Sequence, residues 1–268
     1  MGASTSYIAK QEDRDGYIHY TDTEHEIWTQ LYERQLRSVQ QYAADIYLKG
    51  LTSLDISATR IPQCCEINLH LTPLTGWSVQ PVPALIGFQR FFTMLSEKKF
   101  PAASFIRSRG DFDYIQEPDI FHEIFGHTPL LADPKIAQFS QTIGAIGRQA
   151  DPKNYGWIIR LYWFTIEFGL FQQGNDYKAI GSGLNSSPTE LIYAVNSNIP
   201  ERRPFNVVDI LRTPYRIDIH QPIYYVLENI DDLFGITETS LMASLTTAQR
   251  LGLYSAKYPE PTADRNNN

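Results

Sequence analysis

Two of the six histidines of the chain, His122 and His127, fall in the run EPDIFHEIFGHTPLL between Glu117 and Leu131. Neutral imidazole is a common metal ligand, so a close pair of histidines is a candidate ion site. The separation is five residues, unlike the four of a zinc-protease helix. On a continuous α-helix five residues turn about 500°, which leaves the two rings about 140° apart. The rings converge on one ion if the helix ends between them, and Gly126 and Pro129 give the backbone that freedom. Taken alone, the pair reads equally well as two ordinary histidines near a helix end. A third residue shifts the balance. In WIIRLYWFTIEFGLF, Trp157 to Phe171, only Arg160, Thr165, Glu167 and Gly169 are neither apolar nor aromatic. A carboxylate buried there must be paired, protonated or metal-bound. Arg160 is two helical turns from Glu167, a poor distance for a direct pair. Two histidines and one carboxylate with open positions suit oxygen activation at non-haem Fe(II). Zinc takes the same ligands, so hydrolysis stays open.

These residues need elements to hold them. The 268 residues carry a formal net charge of −7, and 43% are hydrophobic, including 14 Phe, 16 Tyr and 4 Trp. That composition excludes a disordered or collagenous chain. The acidic balance argues against nucleic acid as a partner. No apolar stretch is long enough for a membrane helix, and the first residues lack the apolar core of a secretion signal, so a cytoplasmic protein is expected. Cys64 and Cys65 are adjacent and form no disulfide framework. Apolar spacing predicts helices over about Thr23 to Tyr47, Ile61 to Leu71, from Phe88 until Pro101 stops it, from near Asp119, over Pro134 to Arg148, over Tyr155 to Gln172 with Gly174 and Asn175 as stop, near Tyr224–Leu233 and over Thr239–Leu251. Ser187-Pro188-Thr189-Glu190 reads as a capping box. The expected class is mainly α with a few short β-strands. The expected organisation is a polar segment 1–20, one compact domain over 21–255 and a polar tail 256–268.

EPDIFHEIFGHTPLL, LYWFTIEFGL and IGSGLNSSPTEL, in this order, resemble the tetrahydropterin-dependent aromatic amino acid hydroxylases. IPQ at Ile61, FIR at Phe105 and QPIYYVLE at Gln221 extend the similarity over roughly residues 20–235. FPAASFIR and DYIQEPD resemble the short bacterial phenylalanine-hydroxylating members. The resemblance implies a single catalytic domain of that type. It also implies Fe(II), tetrahydrobiopterin or another tetrahydropterin, and O2 as co-substrate. His122, His127 and Glu167 match the iron triad of the family. Arg107 matches the clamp on the amino acid carboxylate, and Asp119 the aspartate that steadies it. Trp163, Phe168, Gly183 and Ser186 match the substrate pocket, with Ser186 reaching toward the first histidine. Leu85, Ile86, Phe91, Glu123 and Tyr162 match the pterin site. Ile115 replaces a threonine and Ala84 a glycine of animal members. Phenylalanine hydroxylation is the expectation, with tryptophan or tyrosine hydroxylation or a silent metal-binding relative as alternatives. The implied partners are small molecules only, with no nucleic acid and no membrane, and the state a monomer or small homo-oligomer.

Overall fold

The computed structural model describes residue 7, residues 9–83 and residues 86–258. Helix α1 (Asp22–Tyr42) starts at a capping box: Thr21 accepts the Glu24 N–H, and the Glu24 carboxylate accepts the Thr21 N–H. Ile27, Trp28, Leu31 and Val39 bury its apolar face. The helix expected to reach Tyr47 breaks earlier, because Ala43 turns extended and Ala44 N–H bonds the carbonyl of Ala179. Helix α2 (Asp45–Ser53) then starts afresh. Helix α3 (Cys64–Thr75), capped by Gln63, is followed by β1 (Ser78–Val82), α4 (Phe88–Ser96) and β2 (Lys99–Ala103). Pro101 does not stop α4, contrary to expectation. Lys98, at φ 58°, turns the chain, and Pro101 lies within β2, paired in parallel with β1. A two-stranded sheet has only edge strands, where a missing N–H is tolerated.

Residues 104–119 are mostly irregular, and residues 120–131 are helical. Their middle, His122–His127, is a π-turn that runs into α5 (Thr128–Leu131). Helix α6 (Pro134–Gln149) follows, with Asp133 as cap. Helix α7 (Tyr155–Tyr162) widens into a second π-turn, Trp163–Glu167, closed by the Phe168 N–H on the Trp163 carbonyl at 2.8 Å. The helix expected to reach Gln172 ends there. Leu170 begins β3 (Leu170–Gln173), and Gly174, at φ 63°, makes the hairpin turn to β4 (Asp176–Ala179). Then come α8 (Ser182–Ser186), α9 (Pro188–Asn196), β5 (Glu201–Pro204), α10 (Val207–Arg212), β6 (Ile223–Leu227), α11 (Asp231–Phe234) and α12 (Glu238–Leu251). Residues near Tyr224 therefore form a strand, not the expected helix. IYYVL is buried at every position, so it shows no alternation to distinguish it from a buried helix. The four-stranded sheet runs β4-β3-β6-β5, antiparallel only between β3 and β4.

Helix dominates and strands are short, as the sequence implies. One hydrophobic cluster runs through the molecule from Ile27 to Ala248. The segment before α1 is attached to it: Ile18 is buried, and Gln63 bonds both its N–H and its carbonyl. No helix among the described residues is long and apolar enough to cross a membrane.

Candidate metal centre

The two π-turns supply the three candidate ligands. A π-turn bonds residue i to i+5, so a side chain five positions on returns toward the same side. His122 and His127 converge for that reason, and not because the helix ends between them. Their Nε2 atoms lie 3.1 Å apart. Glu167 brings Oε1 to 2.9 Å from the Nε2 of His127 and Oε2 to 3.7 Å from that of His122. Arg160 is not the partner of Glu167; it bonds the Gly156 carbonyl and lies over Trp157.

Ser186 sets the tautomer of His122. Its hydroxyl bonds the Ser182 carbonyl at 2.9 Å and lies 2.8 Å from the Nδ1 of His122. With its hydrogen on the carbonyl, it accepts Nδ1–H and leaves the Nε2 lone pair for an ion. Burial drives the His122 pKa down to about 4, although Glu167 pulls the other way. Burial would raise Glu167, but His127, His122 and Ser182 outweigh it and hold the carboxyl at about 2. At neutral pH His122 is a neutral imidazole beside the Glu167 carboxylate, and the Nε2 atoms of both histidines and an oxygen of Glu167 converge on one point. Two imidazole nitrogens and a carboxylate oxygen are a donor set that fits a metal ion.

A second carboxylate, Glu123, also approaches both histidines, with ligand atoms mutually within 4.8 Å. Burial, then Glu167 and Asp119, raise its pKa well above the ordinary value. Burial thus pushes Glu123 toward its neutral form while Glu167 is held toward its anionic one, which makes Glu167 the better ligand. Glu123 lines a cavity of about 130 Å³ with the triad, Ile86 and Phe91. Val82, Phe100, Pro101 and Pro118 complete the walls, and sequence reasoning assigns none of them to the site. Tyr162 meets Phe91 edge-on at 5.4 Å and lies parallel to His127 at 6.3 Å. Its buried hydroxyl has no partner among the described residues. Leu85 and Ala84 lie outside the described residues.

Arg107 and Asp119, the candidate carboxylate anchor, are placed by a loop and a helix start. Arg107, only 4% exposed, gives Nε and Nη2 to Asp119 at 2.7 and 2.9 Å. Asp119 also accepts the N–H of Arg107 and the N–H of His122. It is both clamp and cap, the two readings its position allows. Burial opposes both charges, yet the pairing raises the Arg107 pKa and lowers that of Asp119. Trp163 stands 4.5 Å from Phe168 and stacks on Tyr215 at 4.3 Å. A Cβ on Gly183 would lie 2.8 Å from the Phe168 ring, so that position requires glycine. These residues do not line the cavity of the triad; they form a separate aromatic wall beside it.

Sequence reasoning missed Ser182, which lies 3.1 Å from the Nε2 of His127 and 3.0 Å from Oε2 of Glu167. The flanking Gly181 and Gly183 were the available signal. It also read Glu190 as half of a capping box. Ser187 does accept the Glu190 N–H, but the Glu190 carboxylate turns inward to the Gln221 N–H and the Tyr224 hydroxyl. A wider hollow of about 400 Å³ near Asp22, His25, Glu26 and Arg60 does not bring three ligand atoms together; among the described residues His122, Glu123 and His127 do.

The fold and this site define a mainly helical protein with a candidate mononuclear centre of two histidines and one carboxylate. Residues 3–241 match the family described as biopterin-dependent aromatic amino acid hydroxylase. The phenylalanine-4-hydroxylase of Vibrio cholerae is 47% identical over 251 residues, 94% of this chain and 87% of that protein. The solved apo structure of the cold-active phenylalanine hydroxylase from Colwellia psychrerythraea superposes with a TM-score of 0.92 at 46% identity, covering 94% of this chain and 98% of that one. The cobalt-bound phenylalanine hydroxylase of Chromobacterium violaceum superposes at 0.86 with 32% identity, covering 94% and 93%. The chain belongs to the biopterin-dependent aromatic amino acid hydroxylase family.

Proposed function

We propose that the protein hydroxylates L-phenylalanine to L-tyrosine, consuming O2 and a tetrahydropterin at an Fe(II) centre. The observation that carries this is the convergence of His122, His127 and Glu167 in a chain so similar to phenylalanine hydroxylases. Iron and pterin, when bound, supply the electrons and the oxygen activation. The residues of the chain bind, orient and exclude water. His122, His127 and Glu167 hold the iron without filling its coordination sphere. Arg107, kept charged and aimed by Asp119, takes the amino acid carboxylate. Trp163 and Phe168 wall the substrate ring, Gly183 leaves the Phe168 ring room to stand there, and Ser186 acts through His122. Phe91 offers the pterin an aromatic face with Ile86 on the same cavity wall, and the resemblance assigns Leu85 to the pterin as well. Glu123, neutral in its buried site, has a proton to donate to a pterin nitrogen or carbonyl. Tyr162 has a buried hydroxyl to satisfy there.

Residues 21–255 form the catalytic unit in this reading. The protein acts in the cytoplasm, as a monomer or small homo-oligomer, on small molecules and not on nucleic acid. The test is an assay with Fe(II), tetrahydrobiopterin, O2 and each of phenylalanine, tyrosine and tryptophan. Pterin-dependent tyrosine formation from phenylalanine is expected. Exclusive turnover of another amino acid would replace the substrate, and no product from any would overturn the proposal.

A further inference from the structure

We propose that Ser182 is a positioning residue of the metal centre. Its hydroxyl holds one oxygen of Glu167, so that the carboxylate is left to meet the metal through the other. The inference rests on the reading that His122, His127 and Glu167 hold the ion.

Ser182 is fully buried at the first position of α8, and its side chain bonds groups outside that helix. The hydroxyl lies 3.0 Å from Oε2 of Glu167, 3.0 Å from the Ile166 carbonyl and 3.1 Å from the Nε2 of His127. A hydroxyl has one hydrogen to give. Once the lone pair of His127 Nε2 is committed to a metal, that nitrogen neither accepts nor donates. The hydrogen then goes to Glu167 Oε2 or is shared with the Ile166 carbonyl. The two Glu167 oxygens are already unequal: Oε1 faces His127 at 2.9 Å and Oε2 faces Ser182. A carboxylate binds a metal through one oxygen or two. A hydrogen bond on one oxygen favours single-oxygen binding and keeps further positions open.

The backbone is arranged to deliver this one side chain. A Cβ on Gly181 would lie 2.3 Å from the Glu167 carbonyl oxygen. One on Gly183 would lie 3.0 Å from the same atom, and one on Gly126 would lie 2.9 Å from the Ser182 carbonyl oxygen. Three positions without side chains thus bring α8 against both π-turns. Ser182 is the side chain that stands between the two glycines of α8 and its entry.

The experiment titrates Co(II) into the metal-free parent protein and into Ser182→Ala, following the visible d–d absorption. Loss of a partner to a metal ligand typically weakens binding about 10–100-fold, and that loss is expected here. A changed band should accompany it as Glu167 swings to use both oxygens. In a Glu167→Gln background the further effect of Ser182→Ala should shrink to less than about threefold, because a carboxamide meets the ion through its one oxygen and leaves no second oxygen for Ser182 to hold. A parent that binds Co(II) and a Ser182→Ala variant with the same affinity and spectrum would overturn the role of Ser182 alone. An undiminished loss in the Glu167→Gln background would overturn it too, by making Ser182 act on the ion directly. A parent that binds no Co(II) overturns the metal-centre reading, and this inference with it.

Discussion

Asp119 has two oxygens and four donors pointing at them. Three belong to Arg107 and the fourth is the N–H of His122, so one carboxylate joins the proposed substrate anchor to the helix that carries the first candidate metal ligand. Arg107 and Asp119 are both buried, which makes their loss unequal. Asp119→Ala strands a guanidinium without its counter-charge and is expected to cost about 3–5 kcal/mol in urea unfolding. Arg107→Lys keeps the charge but loses the planar pair of donors, a difference worth about 1.5–3 kcal/mol per charged hydrogen bond. The KM for phenylalanine should therefore rise about 10–100-fold, with Co(II) affinity changed less than threefold. A KM equal to that of the parent would remove Arg107 from the substrate site.

At the scale of elements, the site depends on two π-turns and the glycines that let α8 approach them. Gly181→Ala would place a methyl 2.3 Å from a backbone oxygen, which cannot swing aside as a side chain can. It should destabilise the protein by about 1–3 kcal/mol and weaken Co(II) binding, since the displaced oxygen belongs to Glu167 itself. Gly126→Ala, at 2.9 Å, should cost less in the same unfolding measurement. The reverse order would mean that α8 is free to shift. These elements were only partly legible in the sequence. Residue chemistry such as a lone carboxylate in an aromatic run is local, so Glu167 stood out against its neighbours. The π-turns were not legible, because widening a helix by one residue leaves the residue types unchanged. The hairpin after Glu167 was missed because Leu170 and Phe171 continue an apolar run that length alone reads as helix. Strand β6 was missed because it is buried on both faces. Ser182 had only its flanking glycines to mark it, and its acceptors come from distant parts of the chain.

The whole molecule is tied together by buried polar groups whose charge changes with pH. Glu190, on α9, bonds the N–H of Gln221 and the hydroxyl of Tyr224, linking that helix to the central strand β6. Burial raises its pKa to about 7, with the two bonds acting in the opposite direction. A raised carboxyl favours the folded state while protonated: its contribution is complete below the unfolded value of about 4.5 and is lost as pH rises through 7. The depressed His122 acts with the opposite sign. Its contribution is complete above about 6.5 and is lost as pH falls through 4. In the metal-free protein the two windows overlap almost fully, so between pH 4.5 and 6.5 they largely cancel. Glu190→Gln keeps an acceptor for both partners and removes only the titration. Its stability relative to the parent, from urea unfolding of the metal-free proteins, should improve by about 3 kcal/mol between pH 4.5 and pH 8. Metal-free Glu190→Gln should also lose stability below pH 6.5 more steeply than the parent, because His122 then acts unopposed. An identical difference between variant and parent at both ends of that range would mean that Glu190 titrates as it does in the unfolded chain. Bound metal should flatten the acid side in both proteins, since a ligating imidazole must lose its metal before it takes up a proton.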